Sequence, residues 1–222
     1  MNPDIGEPVM VFPPIESIAT AGWSAPIAIE DRTIHVWGFS LEGSLSFVER
    51  CRAWLSGDER GRAARFIRPQ DRVRFVLAHG GLRAVLSRYL GIGPDAVGMN
   101  RNEAGKPSLA RIRNDQPTIS FNMSHAHGRV LIAISTVQEI GVDLERVRSD
   151  VEVEKLSQRY FSPSEHATIM QLTQEQRAAG FFRYWVAKEA VLKAQGVGLR
   201  PADSVRNSHV SGRNRRDGSR SG

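Results

Sequence analysis

The chain has 222 residues, 41% hydrophobic and 24% charged, the balance of an ordinary soluble globular protein able to bury one sizeable core or two small lobes. Its longest uninterrupted apolar stretch, Val130 to Ile134, falls far short of the roughly 20 residues that a membrane-spanning helix needs. The net charge is +6, but residues 200–222 hold six arginines against two aspartates, so residues 1–199 carry only +2, a weak footing for a nucleic-acid surface.

Residues 1–31 contain Pro3, Pro8, Pro13, Pro14 and Pro26 without helical or strand period and read as a leader or irregular arm. No basic residue precedes an apolar run there, so a secretory signal is not expected. The single cysteine, Cys51, cannot form an internal disulfide and reads as a small apolar residue on a helix in a reducing compartment, the cytoplasm.

Structure is expected from Thr33 to Phe39, a strand by its β-branched and aromatic content. Helical patterns follow over residues 44–55 and from Asp58 to Phe66. A longer helix starts after Pro69 and stops near Gly91. Gly80 and Gly81 in its middle point to close packing of another segment.

Pro94 and the Asn100 to Pro107 stretch read as loop, and residues 118–121, 130–134 and 140–145 as three strands. Ser162-Pro163-Ser164-Glu165 is a capping box with proline at the first helical position. A last helix covers about Gln174 to Gln195 and ends at Gly196. After Leu199 only Ala202, Val205 and Val210 are apolar, so residues 200–222 are expected to be a disordered basic tail.

Two blocks carry the chemistry. In an extended strand Asp143 and Glu145 share one face, opposite Val142 and Leu144. In a helix Trp185, Glu189 and Lys193 form one stripe. Three carboxylates and a lysine are thus available to converge, an inventory that suits Mg²⁺ and phosphate-diester chemistry. Taken singly, Asp143 and Glu145 read more readily as the wet face of an edge strand, and Glu189 with Lys193 could be a surface ion pair. His125 and His127 lack the neighbouring ligands that would complete a zinc site.

The order of blocks is more specific. Gly105-Lys106-Pro107, Phe121-Asn122-Met123-Ser124-His125, Gly141-Val142-Asp143-Leu144-Glu145, and Phe182 to Ala190 with Lys193 and Gly196-Val197-Gly198-Leu199 together resemble the 4′-phosphopantetheinyl transferase superfamily. The match is to the longer, pseudo-dimeric type that serves surfactin-like peptide and polyketide synthases, over about residues 33–199.

The resemblance implies an α/β (α+β) fold of two similar lobes related by pseudo-twofold symmetry, with the active site in the cleft between them. The lobes would be residues 32–138 and 139–199, the second incomplete because the polar tail stands where relatives continue with further strands. It implies transfer of the phosphopantetheine arm of coenzyme A to a serine of an acidic apo carrier protein by a monomer, releasing adenosine 3′,5′-bisphosphate. Asp143, Glu145 and Glu189 would hold Mg²⁺, and Glu189, Lys193 and His125 would be catalytic. Arg62, Arg74, Lys106, Ser124, His125, Lys188 and Lys193 would contact coenzyme A. A cationic rim at Arg146, Arg148, Lys155 and Arg159 would meet the carrier. The alternatives are a relic that binds coenzyme A or carrier without turnover, and a nucleic-acid binder using the arginine tail.

Overall fold

The structure is a computed structural model that describes residues 12–19, 26–30, 32–102, 105–110, 118–136 and 140–196. The basic tail and much of the leader lie outside the described residues. Contacts divide the chain into two compact units, Met1–Arg146 with Glu189–Val197 and Val147–Lys188 with Gly198–Gly222. The sequence suggested a boundary at residue 139; the contacts assign the described residues 140–146 to the first unit, so the Asp143 and Glu145 pair belongs there. The result is a mixed helix-and-sheet fold.

The first unit is built on a three-stranded antiparallel sheet of order β1 (Ile34–Ser40), β5 (Arg129–Ser135), β4 (Ser120–Ala126). Ile34 pairs with Ser135 at one end of the β1–β5 ladder and Ser40 with Arg129 at the other. A two-residue turn, His127-Gly128, joins β4 to β5 with φ of 47° and 75°, the left-handed pair that suits the twist of a tight hairpin. The alternation puts Phe39, Val130, Ile132, Ile134 and Phe121 on one face, all in the core.

That core is organised around α4 (Pro69–Leu90), whose residues from Phe75 to Ser87 are all buried. A helix buried all round must be wrapped, and here α1 (Ile15–Ala19), α2 (Leu45–Trp54) and α3 (Gly57–Ala64) pack against it. The mid-helix glycines are explained by this. A Cβ on Gly80 would lie 2.5 Å from the Cys51 Cβ of α2, and one on Gly81 2.7 Å from the Phe39 ring of β1. Burial also pushes the Cys51 thiol up to about 12, which fits its plain apolar role.

Three expectations need correcting. The leader is not wholly irregular, because α1 forms and its Ile15 is fully buried in the core. The expected loop from Asn100 to Pro107 contains a small hairpin, β2 (Met99–Arg101) paired with β3 (Pro107–Leu109) around Gly105 at φ 81°. Residues 140–145 do not form a strand; among the described residues their amides meet side chains instead of a neighbouring strand.

The second unit holds α5 (Val153–Tyr160), α6 (Pro163–Met170) and the first two-thirds of α7 (Gln174–Gln195). Phe161, Ile169, Phe181 and Phe182 form its core, with Tyr160, Tyr184 and Trp185 packed against it. The capping box at α6 is formed as read: the Glu165 amide donates to Ser162 Oγ at 3.3 Å, and the Ser162 amide to Glu165 Oε2 at 2.7 Å. Among the described residues, no helix is long and apolar enough to cross a membrane.

Candidate active site

Two strand side chains hold the acidic segment. Asn122 and Ser124 lie two apart on β4 and so face the same side. Asn122 Oδ1 accepts the Val142 amide at 3.0 Å and Ser124 Oγ accepts the Leu144 amide at 3.3 Å. These two amides are likewise two residues apart, so the repeat of the extended segment matches that of the strand beneath it. On its other side Gly141 lies so close to α7 that a Cβ there would run into the Ala190 carbonyl and meet the Ala194 nitrogen at 2.5 Å. Asp143 is therefore fixed between β4 and the last turns of α7, where Glu189 and Lys193 also belong to the first unit.

Asp143, Ser124 and Lys193 form a closed triangle. Lys193 Nζ donates to Asp143 Oδ1 at 2.5 Å and to Ser124 Oγ at 3.0 Å, and Ser124 Oγ lies 2.9 Å from Asp143 Oδ1. The Asp143 side chain is only 5% exposed, against 31% for Lys193. Its second oxygen, Oδ2, is buried with no hydrogen-bond partner among the described residues. A buried carboxylate oxygen left without a partner costs free energy unless a cation or donor reaches it.

Glu189 is half-buried, and burial together with the negative charges of Asp143 and Glu145 raises its carboxyl above the ordinary range, while Lys193 opposes the rise. Glu189 thus feels both of the other carboxylates. Among the described residues the three are nevertheless not gathered into a ligand cluster, since no three His, Cys, Asp or Glu side chains are arranged to hold a metal. Lys193 stands at the Asp143 oxygen instead. The orphaned Oδ2, the mutual repulsion and the all-oxygen donor set fit a hard divalent cation, which takes one or two carboxylates and leaves positions for phosphate.

His125 ends the same stretch of β4 and lines a cavity of about 440 Å³ with Arg62, His79, Arg101 and Asn122. The residue reaches the surface, but crowding around its ring lowers the imidazole below its usual value, and positive charge on His79 and Lys193 adds to this. Arg62 also lies over the Phe75 ring at 5.3 Å. Arg74 is not with it. That residue lines a separate cavity of about 690 Å³ beside His127 and Arg129, 3.7 Å from Asp71.

Lys106 donates to the Ala194 carbonyl at 2.6 Å and so satisfies one of the acceptors left open in the last turn of α7. Lys188 belongs to the second unit, where it pairs with Glu165 at 2.9 Å and sits over the Phe161 ring. Of the rim residues, Lys155 pairs with Glu152 and Arg159 lies over Tyr160.

Two features escaped the sequence reading. Asn122 was a named part of a motif with no role. Glu59 makes a buried network: Oε1 lies 3.0 Å from His79 Nδ1, and Oε2 accepts from Arg83 Nη2 at 2.8 Å. Arg83 Nη1 also donates to the Val97 carbonyl at 2.8 Å. Burial alone would raise the Glu59 carboxyl; bonds from His79 and the Ser56 amide and the Arg83 charge outweigh it and hold it at about 2. The available sign was an arginine and a histidine four apart in the apolar middle of a helix, Phe75 to Leu86.

Residues 139–221 match the 4′-phosphopantetheinyl transferase superfamily, and residues 44–137 match the family 4′-phosphopantetheinyl transferase, N-terminal. The chain is 38% identical over 172 residues to the 4′-phosphopantetheinyl transferase HetI of Nostoc sp., covering 78% of this chain and 72% of that protein. It is 29% identical to the 4′-phosphopantetheinyl transferase Sfp of Bacillus subtilis, covering 76% and 74%. A third relative is the mouse L-aminoadipate-semialdehyde dehydrogenase-phosphopantetheinyl transferase, 30% identical over 72% of this chain and 58% of that protein. The chain belongs to the 4′-phosphopantetheinyl transferase superfamily and is of that enzyme class.

Proposed function

We propose that this protein transfers the 4′-phosphopantetheine arm of coenzyme A to a serine hydroxyl of an apo carrier protein in the cytoplasm, with Mg²⁺, and releases adenosine 3′,5′-bisphosphate. The observation that carries the reading is the Asp143 carboxylate, pinned between Ser124 and Lys193 with one buried oxygen unpartnered and Glu189 charge-coupled to it.

Asp143, Glu145 and Glu189 would hold the metal, which when bound offsets the charge of the coenzyme A diphosphate. Chemistry at a diphosphate is chiefly positioning and electrostatic stabilisation, and the remaining tasks fall to this chain's own groups. Glu189, on a helix, accepts the proton of the serine hydroxyl as its oxygen attacks. Lys193 places a positive charge against the leaving phosphate, and its exposed side leaves it free to exchange Asp143 for an anion. His125 contributes a neutral imidazole donor. Arg62, Lys106 and Ser124 complete the proposed coenzyme A contacts, and the rim at Arg146, Arg148, Lys155 and Arg159 receives the acidic carrier.

The test is direct. The protein is incubated with an apo carrier, coenzyme A and Mg²⁺, and the carrier is weighed by mass spectrometry. Gain of the phosphopantetheine mass is expected. Coenzyme A binding with no change in carrier mass would instead select a non-catalytic binder.

A further inference from the structure

Asn122 is the most buried polar side chain around the acidic segment that has no part in the proposed chemistry, at 6% exposure. Its oxygen is committed to the Val142 amide at 3.0 Å, one residue before Asp143. Ser124, two residues along, takes the Leu144 amide on the other side of Asp143. Among the described residues these are the bonds that fix the backbone on either side of the carboxylate, because residues 140–145 have no ladder of their own. Ser124 also touches Asp143 and Lys193, so it is drawn into the site itself. Asn122 touches neither.

We infer that Asn122 is a positioning residue: its side-chain oxygen, by holding the Val142 amide, sets the direction in which Asp143 presents its free, buried oxygen to a divalent cation. The inference rests on the transferase reading above. The physical reason is that a ligand carboxylate is aimed by its backbone as well as by its own hydrogen bonds. Loss of an outer partner that orients a ligand typically lowers metal affinity about 10–100-fold. Asparagine suits the task because its oxygen accepts without adding a charge beside Asp143 and Glu189. It also explains why this segment lies over the strand instead of pairing at its edge: a side-chain acceptor reaches the amide from below.

The experiment uses the full chain and Mn²⁺ as the probe, with free Mn²⁺ read by electron paramagnetic resonance and thermal melting followed in parallel. Asn122→Leu is expected to weaken Mn²⁺ binding by about tenfold or more. Asn122→Gln, which keeps a neutral side-chain oxygen for the Val142 amide, is expected to recover most of the wild-type affinity. A lower melting temperature in Asn122→Leu with unchanged Mn²⁺ affinity would make Asn122 a structural residue only and overturn the inference. If Asn122→Leu does not fold, Asn122→Ala, which removes the acceptor altogether, is judged by the same criteria. A wild type that transfers the group yet binds no Mn²⁺ overturns the positioning role and leaves the transferase reading standing. A wild type that binds Mn²⁺ in an Asn122-dependent way but never modifies a carrier removes the transferase reading alone.

Discussion

The first unit buries two carboxylates beside cations, and they are finished differently. Glu59 is closed on every side: His79 and Arg83 take its two oxygens, the Ser56 amide shares one of them, and Arg83 spends another donor on the Val97 carbonyl. Asp143 is left open, with Lys193 and Ser124 crowded onto one oxygen and the other without a partner. A closed network contributes to stability and rigidity, since every buried group has its bond. An open one holds back binding capacity for something that arrives later. Similar ingredients therefore close on themselves in one place and leave an acceptor open in the other.

The comparison can be broken at its reactive end first. Glu189→Gln is expected to lower transfer by about 10²–10⁴-fold, the usual worth of a positioned base, while coenzyme A binding measured by thermal shift persists. Full activity in that variant would remove Glu189 from its role.

Next comes the contrast itself. Glu59→Ala should destabilise the fold by about 3–5 kcal/mol in urea unfolding, because it strands a buried arginine. Asp143→Asn should cost under about 1 kcal/mol, because the amide keeps an oxygen for Ser124 and the part-exposed Lys193 and replaces an oxygen that had no partner, yet it should sharply raise the Mg²⁺ requirement of transfer. Equal stability losses would erase the distinction between the two sites.

Acid unfolding sharpens the same point. Glu59 sits at about 2 against an ordinary 4.5, so its contribution is fully present above the ordinary value and drains away as pH falls through the folded one. That is roughly 3 kcal/mol lost on acidification, read as a falling urea midpoint. Glu59→Gln should flatten this dependence. The smallest effect is expected at Ser56→Ala, which removes the cap of the helix carrying Glu59 and should cost about 1 kcal/mol with transfer unchanged.

What the sequence made legible were features with a local cause. The capping box at Ser162, the stop at Gly91 and the apolar run of β5 are set by neighbouring residues, and each is where it was expected. Residues 140–145 have the alternation of a strand, but alternation reports only an extended backbone with two faces and says nothing of what its amides bond. Here Asn122 and Ser124 supply those bonds from about twenty residues earlier, a pairing no local pattern can reveal. The same holds for Glu59 and Arg83, 24 positions apart, and for Ile15, whose short helix matters only because α4 needs a cover there. Of the candidate site residues, Ser124, Asp143 and Lys193 meet in one triangle, while Arg74 lines another cavity and Lys188 pairs with Glu165 although it stands beside Glu189 in the same motif.

Gly141 has one further consequence. It meets α7 bare backbone against bare backbone, with no side chain to act as a cushion. Any side chain larger than hydrogen at that point becomes a wedge that prises the helix off the segment, and every ångström of separation is added to the distance between Asp143 and its partners on α7. The spacing of the reactive groups is thus gauged by the absence of a single methyl group.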